Sequence, residues 1–303
     1  MEKFLLGIDL GGTNTKLGLV KQGHGLVEHL SVATRVEEGP EAATRQWMNA
    51  VKPWFQKYNI IGIGIGSPGP LDRQKGTLYK SPNLPGWEGF SFTEALQKQT
   101  GKPTLLDKDA TVSALGEWKY GEGKGLTDLI VVTLGTGIGT GVISGNQILR
   151  GSAGYAPEIG HMVVDLNGPV CKCGRRGCLE AFTGAVATSL RYDELRGQTE
   201  NASIAEIFAR ARAGELAANT VIHQWIRALA VALGNMVNVF NPQKIILTGG
   251  VAQSWTFVEA EIQKILLHEA FEPSLKCVEI VQSKLGNDGA LLGAASLAES
   301  QLT

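Results

Sequence analysis

Ile8-Asp9-Leu10-Gly11-Gly12-Thr13-Asn14 and, much further along the chain, Val132-Thr133-Leu134-Gly135-Thr136-Gly137-Ile138-Gly139 are two turns of one design. Each follows an apolar run and leads into another, the pattern of a β-hairpin whose tip lacks side-chain bulk. At such a tip, backbone N–H groups and small hydroxyls close on phosphate oxygens. Neither is a Walker loop, because no Gly-x-x-x-x-Gly-Lys-[Ser/Thr] run occurs at either hairpin. One glycine hairpin alone is as easily structural as functional. Two of the same glycine density point to a nucleotide triphosphate held from two sides, and so to an ATP-using transferase. In that reading Asp9 ends the first strand where its carboxylate holds Mg²⁺ directly or through water. Gly11, Gly12, Thr13 and Asn14 form one phosphate cradle, and Leu134, Gly135, Thr136, Gly137 and Gly139 the other.

Working outward, Phe4–Asp9 and Lys16–Val20 read as paired strands, with a third near Leu26–Ala33. Glu41 to Tyr58 carries apolar residues at helical spacing. Ile60-Ile61-Gly62-Ile63-Gly64-Ile65-Gly66 alternates with period two, and Ser67-Pro68-Gly69-Pro70 ends it. A polar loop from Tyr79 to Phe90 leads to a helix over Phe92–Thr100, a short strand over Pro103–Asp107 and a helix over Ala110–Trp118. The second half repeats the plan. Strands at Leu129–Leu134 and Gly141–Ser144, and a third at Gln147–Leu149, precede a cysteine-bearing insertion. Helical stretches follow from Ile204 to Phe240, then a strand over Lys244–Thr248 and helices over Phe257–Ala270 and Gly289–Ala298. The pattern predicts an α/β protein of two similar halves, with a linker-like Gly121-Glu122-Gly123-Lys124-Gly125 near their boundary.

Across 303 residues, 28 Lys and Arg stand against 29 Asp and Glu, so no basic excess marks a nucleic-acid or anionic-membrane partner. The first apolar run is too short for a signal-peptide core, and no stretch approaches the roughly 18 apolar residues of a membrane span. The expectation is a cytoplasmic protein that binds small molecules.

Three of the four cysteines crowd into Cys171-Lys172-Cys173-Gly174-Arg175-Arg176-Gly177-Cys178, with His161 just upstream. In a reducing compartment Cys-x-Cys-x₄-Cys plus His suits a closed structural zinc shell better than disulfides. The bland alternative, three idle thiols near an unrelated histidine, needs a coincidence in a chain so poor in cysteine. Cys277, in a short apolar run, reads as a core residue. Asp107-Lys108-Asp109 lies between a short strand and a helix, where a side chain projects from a strand end towards a ligand. Asp109 fits either a base for a substrate hydroxyl or the N-cap of the helix from Ala110. Glu158 and Glu180 flank the cysteine cluster, and with Asn83 they are either groups of the kind that read sugar hydroxyls or plain solvated loop residues, the ordinary reading for an isolated Glu.

Together these residues resemble the ROK family of repressors and sugar kinases, within the actin-like ATPase superfamily. The resemblance covers essentially the whole chain. It rests on the Asp9–Asn14 opening, on Ser81-Pro82-Asn83-Leu84-Pro85-Gly86-Trp87 and on Leu134–Gly139. Most specific is Glu158-Ile159-Gly160-His161 followed by Cys171-x-Cys173-Gly174-x-x-Gly177-Cys178-Leu179-Glu180. It implies a two-lobed actin-like (RNase H-like) fold. Residues 1–115, joined by a terminal helix at 289–303, would form a sugar and phosphate lobe; residues 116–288 would form a nucleotide lobe with a zinc-binding insertion. It also implies ATP- and Mg²⁺-dependent phosphorylation of a hexose 6-hydroxyl, structural Zn²⁺ and a homodimer. Asp109 then looks like the catalytic base, itself in contact with the sugar. Asn83, Glu158, His161 and Glu180 look like sugar contacts, with His161, Cys171, Cys173 and Cys178 as zinc ligands. The family's repressors carry an additional N-terminal helix-turn-helix; with Asp9 so near the start and no basic excess, the expectation is the kinase branch.

The family usually has Asn where this chain has Lys108 and Thr111, and commonly Gly at Pro157. A Lys at 108 has three uses open to it: bonding the sugar, pairing with Asp107 or contacting phosphate. The leading expectation is a glucokinase-like enzyme. A kinase of N-acetylhexosamines (N-acetylglucosamine or N-acetylmannosamine) is the near alternative, and a catalytically weak sugar sensor the distant one.

Overall fold

The computed structural model describes residues 2–79, 81–286 and 288–300, and the chain divides into two compact units. Unit 1 comprises Met1–Gly125, Ile148–Ala156 and Lys284–Thr303; unit 2 comprises Leu126–Gln147 and Pro157–Ser283. The expected boundary at 115/116 therefore falls inside a helix of unit 1, and the chain leaves that unit only after the glycine-rich 121–125 stretch. The outer ends of the expected 1–115 and 289–303 segments, at 1 and 301–303, lie outside the described residues.

Unit 1 opens with β1 (Phe4–Leu10), β2 (Asn14–Lys21) and β3 (Gly25–Ala33). Next come α1 (Pro40–Ala50), α2 (Lys52–Lys57), β4 (Ile60–Ser67), β5 (Leu71–Asp72), β6 (Thr77–Leu78), α3 (Phe92–Thr100), β7 (Thr104–Lys108) and α4 (Asp109–Tyr120). The sheet order is β3-β2-β1-β4-β7, antiparallel through the first three strands and parallel from β1 to β7. The single helix expected over Glu41–Tyr58 is broken at Val51. Pro53 is the cause: it has no N–H for an unbroken helix and is tolerated in the first turn of a new one.

Unit 2 repeats this plan with β8 (Leu129–Leu134), β9 (Ile138–Ser144), β10 (Gln147–Ile148), β11 (Lys244–Thr248) and β12 (Glu279–Gln282), in the order β10-β9-β8-β11-β12. Its helices are α5 (Leu179–Thr183), α6 (Ala185–Arg196), α7 (Ile204–Arg212), α8 (Leu216–Phe240), α9 (Trp255–Glu269) and α10 (Glu272–Leu275). Within α8, Ile222, Trp225, Leu229, Leu233 and Met236 recur at helical spacing and are all buried. Serine caps set two helix starts. Ser203 opens α7 with a reciprocal bond to Glu206, and Ser91 accepts from Glu94 at the start of α3. Cys277 is exposed in the turn after α10 rather than buried in a strand; the apolar pairing begins only at Glu279.

The chain returns to unit 1 for α11 (Asp288–Glu299), which packs on β1, β4 and α4. The Ile-Gly alternation of β4 is explained by that return. Ile63 and Ile65 join one face of the sheet to the core of Leu6, Ile8, Leu17, Trp47 and Phe92. On the other face a Cβ at Gly64 would stand 1.7 Å from the Ala294 carbonyl oxygen of α11. Only a residue without a side chain lets the helix backbone lie that close to the strand.

Candidate active site

In unit 1 the first glycine turn is short, spanning Gly11 to Thr13 between strands that already include Asp9 and Asn14. The Gly11 N–H donates to the Asn14 carbonyl at 3.1 Å, closing the hairpin. Thr34, fully buried just past β3, braces it from outside. Its hydroxyl donates to the Gly11 carbonyl at 2.6 Å and its N–H to the Thr13 carbonyl at 2.9 Å. A lone Thr carries no sequence signal, and this brace was not legible in the sequence. Asp9 lies opposite Lys16 in the strand register. Burial pushes its carboxyl above the ordinary aspartate range, against the pull of Lys16. The 81–87 loop brings Asn83 to this turn, with its carbonyl 3.0 Å from the Cβ position of Gly12. Leu84 and Trp87 anchor the loop in the core, and the Trp87 indole donates to the Val36 carbonyl at 3.0 Å, leaving Asn83 exposed.

Asp109 is the first residue of α4, exposed where β7 ends. Lys108, not Asp109, occupies the N-cap position, so the capping role considered for Asp109 is displaced by one residue. One Asp109 oxygen accepts the Ala110 N–H at 2.7 Å, and a carboxylate in a helix's first turn is favoured by the helix dipole. Lys108 is 8% exposed and donates to the Tyr155 carbonyl at 2.7 Å. Asp107 is buried and pairs with Arg150 and Arg73.

In unit 2 the second turn spans Gly135 to Gly137, closed by the Gly135 N–H on the Gly137 carbonyl at 3.1 Å. Strand β9 begins at Ile138, earlier than expected, so Gly139 is a strand residue paired with Thr133. Leu134 likewise belongs to β8. Thr136 remains in the turn, and the Gly135 carbonyl accepts the Ala185 N–H at 2.9 Å, fixing the turn to the start of α6. Glu180, in α5, brings its carboxylate to the same turn and accepts the Ile138 N–H at 2.9 Å. A Cβ on Gly137 would lie 2.4 Å from that carboxylate, so glycine here is a condition of the contact.

Glu158 precedes the 3₁₀ turn Ile159–His161 and is exposed. His161 meets the cysteine hairpin: His161 Nδ1 lies 3.7 Å from Cys171 Sγ, and Cys173 Sγ lies 3.7 Å from Cys178 Sγ. All four donor atoms fall within 4.8 Å of one another. A tetrahedral zinc ion with thiolates at about 2.3 Å needs sulfur neighbours about 3.8 Å apart, so donor type and spacing both suit it. The Arg175 backbone N–H holds the Cys173 thiol down to about 6, whereas burial pushes Cys178 up to about 12 and raises Cys171. Turn geometry makes the pocket: the Cys171 N–H donates to the Arg175 carbonyl at 2.7 Å and the Gly174 N–H to the Cys171 carbonyl at 2.9 Å. Among the described residues no helix is long and apolar enough to cross a membrane.

The chain is 35% identical to a glucokinase of Thermotoga maritima, over 98% of each chain. A ROK hexokinase from Thermus thermophilus superposes with a TM-score of 0.87 at 31% identity, over 99% of each. A ROK glucokinase from Streptomyces griseus, in complex with glucose and AMPPNP, superposes with a TM-score of 0.78 at 28% identity, over 98% of this chain and 99% of that one. These solved sugar kinases have the two-lobed actin-like ATPase fold, whose paired α/β sheets recur here. The model of the ROK family matches residues 5–301, and with it the two glycine turns and the Cys₃His cluster find one common explanation: the chain belongs to the ROK family.

Proposed function

We propose that the protein is an ATP-dependent hexokinase that phosphorylates the 6-hydroxyl of glucose. The full-length likeness to glucokinases carries this reading. The site residues give it a mechanism. The N–H groups and hydroxyls of Gly11–Asn14 and Gly135–Gly137 bind phosphate oxygens, while Asn83, Glu158, His161 and Glu180 bind sugar hydroxyls. Asp109 accepts the 6-hydroxyl proton as that oxygen bonds to the γ-phosphorus and the bond to the ADP oxygen breaks. Mg²⁺, when bound, would supply charge neutralisation for the phosphates, and Asp9 is the carboxylate proposed to hold it. In this scheme unit 1 carries the first phosphate turn with Asn83 and Asp109, and unit 2 carries the second turn with Glu158, His161 and Glu180. His161, Cys171, Cys173 and Cys178 would hold Zn²⁺, which would stiffen the segments that carry Glu158 and Glu180. The family resemblance extends to a homodimer, and the reduced thiol cluster suits the cytoplasm.

Lys108 favours a second reading. It stands where the family has a sugar-reading Asn, and its ammonium is on the Tyr155 carbonyl. An altered sugar, such as an N-acetylhexosamine, is the substrate such a change would admit. A coupled ADP-release assay with ATP and Mg²⁺ across glucose, mannose and the two N-acetylhexosamines tests both. Preference for glucose supports the first, preference for an N-acetylated sugar the second. Sugar binding without ADP release would overturn both in favour of a sensor.

A further inference from the structure

Arg73 and Arg150 meet on a single oxygen of Asp107. Arg150 donates to Oδ2 through Nη2 at 2.9 Å and Nε at 3.1 Å. Arg73 Nε lies 3.0 Å from the same oxygen, off the direction of a hydrogen bond. The other oxygen of Asp107 is spent on the Lys108 N–H at 2.9 Å. Asp107 is 1% exposed, so this carboxylate is fixed, with one oxygen turned to the backbone and the other to the two arginines. Two guanidiniums thus share one negative charge, and among the described residues neither pairs with another carboxylate. Burial and the neighbouring Arg150 both pull the Arg73 guanidinium down, against the pull of Asp107. Holding two such groups together is costly unless an anion completes them.

The unspent N–H groups suit a tetrahedral oxyanion. Among the described residues both Nη groups of Arg73 and Nη1 of Arg150 have no partner, in the planar fork that binds phosphate through parallel bonds. Both side chains are about a third exposed or less, 33% and 26%, so solvent reaches them without flooding them. The same two segments supply aromatic rings. Tyr79 and Tyr155 stand with centroids 6.2 Å apart, each 43% exposed, and the Tyr155 backbone is held by Lys108. Such rings give an apolar face for the body of a small ligand whose charged end lies on the arginines. We propose that Arg73 and Arg150, gathered on Asp107, form a binding site for the phosphate monoester of a sugar. The phosphate part stands on the arginine geometry alone; only the sugar part rests on the kinase reading.

Isothermal titration of the whole chain without ATP tests this, with inorganic phosphate, glucose 6-phosphate and glucose as probes. Saturable phosphate binding is expected, weakened about tenfold or more in R73Q and in R150Q and by a smaller factor in R73K, which keeps charge but loses the fork. Glucose affinity should be the same in wild type and R73Q. Tighter binding of glucose 6-phosphate than of inorganic phosphate, lost in R73Q, identifies the ester as the ligand. Equal binding of the two probes overturns the ester in favour of free phosphate. Absence of saturable binding, or equal phosphate affinity in folded R73Q and wild type, overturns the site itself. Failure of the kinase reading would appear separately, as silence in the ADP-release assay with phosphate binding intact.

Discussion

Asp109 and Glu180 illustrate how differently two carboxylates of one proposed site are held. Asp109 is exposed at a helix start, with one oxygen on the Ala110 N–H. Replacing it by Asn should lower kcat by about 10²- to 10⁴-fold, the usual contribution of a general base, with glucose affinity little changed. Steady-state kinetics and glucose titration check this, and unaltered turnover would remove Asp109 from the mechanism. Glu180 instead spends an oxygen on the Ile138 N–H, tying a proposed sugar contact to a proposed phosphate turn. A Gly137→Ala methyl would stand 2.4 Å from that carboxylate and must displace it. We expect KM to rise for both glucose and ATP in G137A; a change confined to ATP would show that Glu180 has no part in sugar binding. Asp109, Asn83, Glu158 and Glu180 stand out in the sequence because they lie within dense local motifs, and their roles remain proposals. Thr34, Arg73 and Arg150 do not, because each acts across a long sequence separation and has an unremarkable neighbourhood in the chain.

Strand β4 and the cysteine hairpin are elements whose sequences have meaning only through their partners. Ile63 and Ile65 of β4 face one core, while Gly64 on the other face meets α11 and Gly66 meets Val112 of α4, so period two encodes different neighbours. Gly64→Ala should destabilise unit 1 by about 1–3 kcal/mol through overpacking, read as a lower urea midpoint. An unchanged midpoint would mean that α11 does not press on the strand. The cysteine hairpin is too short to bury a core of its own and depends on its donors meeting His161. Cys173→Ser should therefore lose bound zinc, measured by elemental analysis, and weaken glucose binding by releasing the supports of Glu158 and Glu180. Full zinc content with normal glucose affinity would refute the link. The alternating strand β4 and the helix α3 match the sequence pattern almost to the residue. Helices α5 and α6 escaped notice, since α6 mixes polar positions with exposed Leu190 and Leu195 and shows no clear apolar stripe. The break at Val51 was missed because helical periodicity continues across Pro53 while the backbone cannot.

At the scale of the molecule, the duplicated sheet order was foreshadowed by the two glycine turns, but the path of the chain between units was only partly foreshadowed. The Ile148–Ala156 segment belongs to unit 1 although both its flanks belong to unit 2. Its attachment is chemical rather than compositional: Arg150 on Asp107, and the Tyr155 carbonyl on Lys108. No window of local sequence displays such a tie. Unit 1 is completed by α11, whose residues come after all of unit 2. A chain cut after Ser283 should leave Leu5, Val20 and the glycine face of β4 bare, and limited proteolysis should degrade unit 1 first. Equal protease resistance in the cut and full chains would show that α11 is dispensable. The late position of α11 also sets a timetable for synthesis. A ribosome making this protein delivers every strand of the first sheet early, yet the helix that covers one face of it emerges only after all of unit 2. Until then that face is open to other chains, whereas unit 2 has all its strands and can settle beforehand. Dependence on chaperones should accordingly be concentrated in the amino-terminal third of the nascent chain.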